Sequence, residues 1–242
     1  MDLASDILPP TETEYRAALF PRLTEEQLGH VAPLGKRRAL RAGEEVFRQG
    51  DEDLHLYVVL AGQLDLVRPH LMGEDLLAAL APGEFTGEVS LLSRRRSLVS
   101  GRMRSDGELL DVPPAGLRKL VVADAELSEL LMRTFVLRRV HLINHRLGDT
   151  VLVGARNSAG TIRLMDFLTR NGHPYSYLDL EEDRGAQAIL DRFQVGPTEV
   201  PVVICRRSIV LRNPGNDQVA DVLGFNVGVD LASVRDLVVV GA

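Results

Sequence analysis

Residues 42–66, AGEEVFRQGDEDLHLYVVLAGQLDL, decide the fold of the N-terminal half of this chain. Short apolar runs with period-two alternation lie between turn signals at Gly43, Gly50 and Gly62, a spacing of roughly 8–12 residues. The same pattern continues through residues 73–83 and 98–113. Because several short alternating strands at even spacing must close on themselves to bury one face, the pattern predicts a small antiparallel barrel or jelly roll.

Helical patterns flank this β-rich stretch on both sides. Residues 12–34 predict two short helices, the second with Thr24 as N-cap and Gln27 three residues later, the spacing of a capping box. A short helix after Pro113-Pro114 and a long helix over 124–147 follow, with Gly148 as the expected stop. The broad apolar face of the long helix indicates that it packs against the barrel.

Composition narrows the classes of function. The 242 residues carry a net charge of −6 and neither half is basic, which argues against a nucleic-acid partner because such binding depends on many cations. No apolar run reaches the ~18 residues of a membrane span, and no signal peptide is visible. The one cysteine, Cys205, cannot form an internal disulfide. A cytoplasmic location without membrane contact is therefore predicted.

From Thr150 onward the element order is βαβαββα, which predicts a small α/β sandwich. We therefore expect an α+β protein of two domains, residues 1–148 and 149–228, followed by a linker and a truncated strand over 229–242. The predicted last strand is DLVVVGA, residues 236–242, which contains one glycine, Gly241.

A candidate anion site lies in PGEFTGEVSLLS (82–93) and RRSLVS (95–100). Backbone N–H groups at the start of a short helix over Gly87–Ser90 suit a phosphate, and an arginine adds charge and a forked donor set. Residues 20–147 resemble the cyclic nucleotide-binding family, and this stretch is similar to its phosphate-binding cassette. The resemblance implies an eight-stranded jelly roll, Glu88 as acceptor for the ribose 2′-hydroxyl, and Arg96 and Ser97 as phosphate contacts.

The site predicted from this resemblance binds cAMP or cGMP and comprises Phe85, Gly87, Glu88, Val89, Ser90, Arg96 and Ser97. Two features depart from the family pattern. Arg96 follows Glu88 by eight positions, a shortened loop, and Thr86 precedes Gly87. The alternative interpretation is that Arg94–Arg96 is a solvated turn and Glu88 an exposed helix cap.

Residues 149–226 resemble a thioredoxin- or glutaredoxin-like domain. The resemblance lies in TVLVGAR (150–156), YSYLDLEED (175–183) and TEVPVVIC (198–205). The resemblance implies a cis peptide bond before Pro201. Where the family has its dithiol, this chain has Asn157, Ser158, Ala159 and Gly160, so dithiol chemistry is not available. Cys205, in an apolar strand, is expected to be a buried core residue, which leaves a binding or docking role for this domain.

The final strand resembles the first strand of a Rossmann domain, of whose glycine fingerprint only Gly241 is present. The order of the three parts resembles the N-terminal region of a fused thioredoxin-reductase-like flavoprotein. The resemblance implies a parent protein that uses FAD and NAD(P)H, with the flavin domain downstream in cis. The chain itself is expected to be non-catalytic and to hold no metal.

The leading hypothesis is a cyclic nucleotide-binding regulatory segment of such an oxidoreductase, with a homodimer through the long helix as a possible assembly. The first alternative is a degenerate scaffold that binds no nucleotide and positions a redox partner. The second is a transcription regulator of the catabolite-activator family. The acidic α/β domain argues against it, because that domain occupies the place where a helix-turn-helix would follow.

Overall fold

The computed structural model describes residues 12–70, 73–87, 90–91 and 95–225. Seven strands of the described residues build the N-terminal barrel. They are β1 (Lys36–Leu40), β2 (Glu45–Phe47), β3 (Leu56–Ala61), β4 (Leu64–His70), β5 (Gly73–Leu80), β6 (Ser100–Met103) and β7 (Gly107–Val112). The predicted β-rich half is confirmed. An isolated bridge pairs Phe85 with Val58 of β3, and another pairs Glu84 with Arg22.

The barrel strands form two antiparallel sheets that face each other. One has the order β1-β7-β3 and the other β2-β6-β4-β5. Gly43, Gly50, Gly62 and Gly83, which the sequence marks as turns, all have positive φ values, between 78° and 93°. At Gly62 the Cβ of any other residue would also lie only 2.5 Å from the Asp106 carbonyl oxygen, so this turn admits only glycine.

In the part of the chain that the structure describes, the helices that flank the barrel are α1 (Glu12–Leu19), α2 (Glu25–Val31), α3 (Pro114–Ala123) and α4 (Ala125–Asn144), with a 3₁₀ turn at Ala32–Leu34. The predicted capping box is present, because Thr24 accepts from the Gln27 N–H and the Gln27 side chain accepts from the Thr24 N–H. The Asp124 side chain caps α4 at the Leu127 N–H.

Gly148 does not end α4. The helix ends at Asn144, and Arg146 already has a positive φ of 52°. Gly148 instead lies against residue 174, where a Cβ would come within 1.6 Å of the Pro174 carbonyl oxygen. The glycine therefore permits a close backbone approach between two segments, a requirement that a helix-stop pattern does not reveal.

The second unit has the predicted order βαβαββα. Its elements are β8 (Thr150–Gly154), α5 (Ala159–Arg170), β9 (Tyr175–Asp179), α6 (Arg184–Arg192), a 3₁₀ turn at Pro197–Glu199, β10 (Val202–Cys205), β11 (Ile209–Arg212) and α7 (Asn216–Leu223). The sheet order is β11-β10-β8-β9, with β8 and β9 parallel and the other pairs antiparallel. Helices α5 and α7 cover one face and α6 covers the other.

Each half has apolar cores of its own. In the barrel, Phe85 and Phe135 lie in a cluster that joins β3, β7, α3 and α4. In the second unit, Leu164 and Leu168 of α5 pack with Val219 and Leu223 of α7 over the sheet. Within the described residues, no helix combines the length and hydropathy that a membrane crossing requires. The predicted strand at 236–242, with Gly241, lies outside the described residues.

Candidate functional site: a cavity under the cassette

A cavity lies inside the barrel between its two sheets and α4. Its volume is about 90 Å³, several times the roughly 10–15 Å³ that one water molecule needs, so it is more than a packing defect. The wall is mainly apolar and aromatic. The polar groups that line it are His55, Tyr57, Thr86, Gly87, Ser97, Arg138 and His141. An apolar cavity with a few convergent polar groups is the usual form of a small-molecule site.

The stretch at residues 83–97, here called the cassette, begins with a segment fixed firmly to the barrel. The Glu84 side chain is buried, accepts from the Ala81 N–H at 2.9 Å and pairs with Arg16 at 3.1 Å. Thr86 is bonded twice to Tyr57: its N–H donates to the Tyr57 carbonyl and its hydroxyl accepts from the Tyr57 N–H. The unusual Thr86 therefore has a structural role at the cavity wall.

Gly87 can be only glycine at this position. Its φ is +105°, which disfavours any side chain, and a Cβ would lie 2.8 Å from Phe135 Cε1 and 3.2 Å from Leu91 Cδ2. The tight contact with α4 holds the backbone of Gly87 at the cavity.

Arg138 of α4 fixes the first part of the cassette from the other side. Its guanidinium donates to the carbonyl oxygens of Gly87 at 2.7 Å, Phe85 at 2.9 Å and, through Nε, Leu19 at 2.7 Å. The side chain is 6% exposed and also lies over the rings of Phe20 and Phe85. One buried cation thus joins α1, the cassette and α4, although no sequence motif marked it as a functional residue.

The predicted site residues divide between two places. Gly87 and Ser97 line the barrel cavity, and Phe85 is buried in the adjoining core. Ser90 and Arg96 line a different, narrow cleft between the barrel and the second unit. Glu88 and Val89 lie outside the described residues. The structure therefore brings part of the predicted set to the cavity and places the predicted phosphate arginine elsewhere.

Arg96 and Ser97 have well-defined partners. The Arg96 guanidinium donates to the Gly50 carbonyl oxygen at 3.2 Å and forms an ion pair with Glu52. The Ser97 hydroxyl donates to the Val99 carbonyl oxygen at 2.8 Å, and its backbone is bonded to Gly50 and Asp51. Ser90 is 1% exposed, and its hydroxyl has no hydrogen-bond partner within the part of the chain that the structure describes.

Two titratable side chains in the cavity wall are shifted by burial. Desolvation, followed by the nearby Asp111 carboxylate, raises the pKa of Tyr57 to about 12. Desolvation, followed by the charge of His145, lowers the pKa of His141, whose Nδ1 lies 3.0 Å from the Tyr15 hydroxyl. Both side chains are therefore neutral near pH 7, and each can offer a hydrogen bond without bringing a charge into the cavity.

In the second unit, the structure brings together part of the predicted degenerate redox set, which comprises residues 157–160 and Pro201. The peptide bond before Pro201 is cis, as predicted, and a Cβ on Gly160 would lie 3.0 Å from Pro201 Cδ. Ser158 caps α5 by accepting from the Thr161 N–H. Asn157 and Ala159 are exposed or partly exposed beside them.

Cys205 is buried in β10, as expected. Desolvation, then the Asp149 charge, raises the pKa of its thiol to about 12. A protonated, buried thiol is a poor nucleophile, so the interpretation of Cys205 as a core residue agrees with its surroundings.

Comparison with known proteins identifies the barrel. Residues 37–124 match the family described as "Cyclic nucleotide-binding domain". A cyclic AMP receptor protein from Thermus thermophilus is 30% identical over 166 residues, which are 67% of this chain and 68% of that protein. The chain belongs to the cyclic nucleotide-binding family. The cyclic nucleotide-binding domain supplies the barrel, the cavity and the cassette described above.

Two further proteins are similar to part of this chain. A putative potassium channel protein from Rhodopseudomonas palustris is 26% identical over 55% of this chain and 32% of its own length. The N-terminal domain of a transcriptional regulator from Streptomyces coelicolor A3(2) is 30% identical over 54% of this chain and 94% of its own, with a TM-score of 0.41.

Proposed function

We propose that the barrel is a cyclic nucleotide sensor that holds cAMP or cGMP in its cavity and regulates the rest of its protein. The observation that carries this proposal is the meeting of Gly87 and Ser97, from the two ends of the cassette, at the wall of one mainly apolar cavity under α4. A mononucleotide has a base for the apolar part and a phosphate for the cassette, so its two halves match the two chemistries of the cavity.

The proposed ligand roles follow from residue chemistry. Arg96 and Ser97 would bind the phosphate and Glu88 the ribose 2′-hydroxyl, with amide donors from Gly87 to Ser90. Phe47 and Tyr57, whose rings stack at 5.6 Å in the cavity wall, offer a flat apolar surface to the base. Arg96 must leave Glu52 to take this role.

Calorimetry with cAMP and cGMP on the full chain tests the site. Arg96→Ala should weaken binding by about tenfold or more, because a charge-assisted hydrogen bond is worth roughly 1.5–3 kcal/mol. Arg118→Ala removes the same charge from the exposed side of α3 and should leave affinity unchanged. Equal affinities of the Arg96 variant and the wild type would reject Arg96 as the phosphate contact.

One observation favours a different function for the barrel. Arg96, the predicted phosphate ligand, is engaged with Glu52 and the Gly50 carbonyl outside the cavity, as it would be in a scaffold that binds no nucleotide. If neither nucleotide raises the melting temperature at millimolar concentration, the scaffold function replaces the sensor.

For the second unit we propose a thioredoxin-like docking module without redox chemistry. The support is the βαβαββα order, the contact of Gly160 with Pro201, and the lack of a thiol at residues 157–160. The proposed parent is a thioredoxin-reductase-like flavoprotein that uses FAD and NAD(P)H. The gene sequence after codon 242 tests it: a glycine-rich dinucleotide loop followed later by Cys-x-x-Cys would support the parent, and a membrane or DNA-binding segment would reject it.

The proposed assembly is a homodimer through α4. Val136, Val140 and Ile143 are exposed at helical spacing on this helix, with Val136 54% accessible. Light scattering on the wild type and on a Val136→Glu, Val140→Glu variant tests this surface. A dimeric wild type and a monomeric variant would support it.

A further inference from the structure

The arginine end of the cassette, residues 95–97, contacts the second unit. We call this contact surface the seam and define it by Gly50, Arg95, Arg96, Arg139, Asn171, Gly172, Arg206, Gly224 and Phe225. Arg95 donates through Nη1 to the Asn171 carbonyl oxygen at 2.9 Å, and its guanidinium lies 4.7 Å from the centre of the Phe225 ring. The cassette is thereby joined directly to a different unit of the chain.

A second arginine of the barrel half reaches the same place. Arg139 of α4 is buried and donates through Nε to the Gly172 carbonyl oxygen at 2.9 Å. Asn171 is the C-cap of α5 and Gly172 follows it. Carbonyl groups at a helix C-terminus carry partial negative charge, which attracts cations. Two guanidinium groups from the barrel half therefore hold one end of α5.

Arg96 lies in the seam as well, beside these contacts. It binds Gly50 and Glu52, and a Cβ on Gly224 would come within 3.8 Å of its Nε. Gly50 itself faces the Arg206 side chain, whose Cδ would be 3.2 Å from a Cβ at that position. With Arg95 bonded to α5, the backbone next to Arg96 is tied to the second unit, while the Arg96 side chain binds Gly50 and Glu52 of the barrel half.

We propose that the second unit holds the cassette in a state of low nucleotide affinity, an inference that rests on the proposed function of the barrel. The proposed binding mode needs Arg96 at the cavity, whereas Arg95, the residue before it, is bonded to the Asn171 carbonyl oxygen of the second unit. Coupling between two sites is reciprocal. If the contact with the second unit lowers nucleotide affinity, bound nucleotide must therefore weaken that contact by the same free energy. The second unit is thus both the regulator of the site and the element that receives its signal.

Arg95→Ala in the full chain tests the proposal by calorimetry with cAMP and cGMP. The variant should bind nucleotide about fivefold or more tightly than the wild type, at the lower end of typical coupling between sites. Phe225→Leu, which removes the ring but keeps an apolar side chain, should shift affinity in the same direction. Arg133→Ala is the matched control, because Arg133 is exposed on α4.

The outcomes separate this proposal from the proposed function. If the wild type binds nucleotide and both seam variants bind it with the same or lower affinity, the seam is not a regulator. The sensor function would then still stand. Binding by Arg95→Ala alone supports the proposal, because the wild-type seam then blocks the site. No binding by any variant overturns the sensor, and the seam proposal fails with it.

Discussion

The two ends of the cassette are held in different ways. The first end, Gly83–Gly87, is enclosed by the barrel, α1 and α4, with Glu84, Phe85 and Thr86 buried. At the second end, Ser97 is bonded to Gly50 and Asp51 through its backbone, whereas Arg95 and Arg96 bind α5, the Gly50 carbonyl and Glu52 through their side chains. The first end is a fixed wall of the cavity. We call the second end exchangeable, because its two arginine side chains can change partners without unfolding the barrel, and one of them is the predicted phosphate arginine.

The largest effect is expected at Arg138, which holds the fixed end. Arg138→Met keeps the length of the side chain but removes the donors to Leu19, Phe85 and Gly87. The free energy of unfolding, measured in urea, should fall by about 3 kcal/mol or more, because hydrogen bonds from a charged group are worth roughly 1.5–3 kcal/mol each. Arg133→Met on the same helix is the control. A loss below about 1 kcal/mol would mean that the first end is not fixed by Arg138.

An intermediate effect is expected at Gly87. Gly87→Ala combines a positive φ with a close contact to Phe135 and should cost about 1–3 kcal/mol of unfolding free energy. Gly43→Ala separates the two causes, since Gly43 has φ +82° but no atom within 4 Å of a Cβ. The Gly87 variant should lose more stability than the Gly43 variant. Equal losses would show that backbone strain alone, and not packing under α4, restricts Gly87.

The smallest effect on stability is expected at Glu52, at the exchangeable end. Its side chain is 66% accessible, and exposed ion pairs contribute roughly 0–1 kcal/mol. Glu52→Gln should therefore change the free energy of unfolding by less than about 1 kcal/mol. Glu45→Gln, which breaks the exposed pair with Arg48, is the control. A loss above about 2 kcal/mol in the Glu52 variant alone would contradict the contrast between the two ends.

The sequence predicts those features whose causes are local. The Thr24 capping box needs only residues three positions apart, and the turn glycines at 43, 50, 62 and 83 need only their own φ values. The apolar run of β3 is also a local signal, although both faces of this strand are buried: Leu56 and Val58 lie in one core cluster, and Tyr57 and Val59 lie in another. Because these signals depend only on residues close together in the sequence, the barrel and the element order of the second unit could both be predicted.

The missed features depend on partners that no sequence pattern displays. Arg138 is buried because it reaches backbone carbonyls, including that of Leu19, 119 positions away, and every residue has a carbonyl. Arg95 binds the end of α5 in the same manner. A pattern of three arginines indicates charge. It does not reveal that Arg95 binds the end of α5, that Arg96 binds Gly50 and Glu52, or that Arg138 of α4 lines the cavity.

Gly148, between α4 and β8, has a consequence for how this protein can evolve. A side chain there would collide with the Pro174 carbonyl oxygen, so no other residue can replace Gly148 while the second unit packs against this junction. The seam adds a second requirement, because any module joined at this point would also have to offer partners to Arg95 and Arg139. Loss of the second unit would remove the Pro174 carbonyl, and only then could another residue occupy position 148.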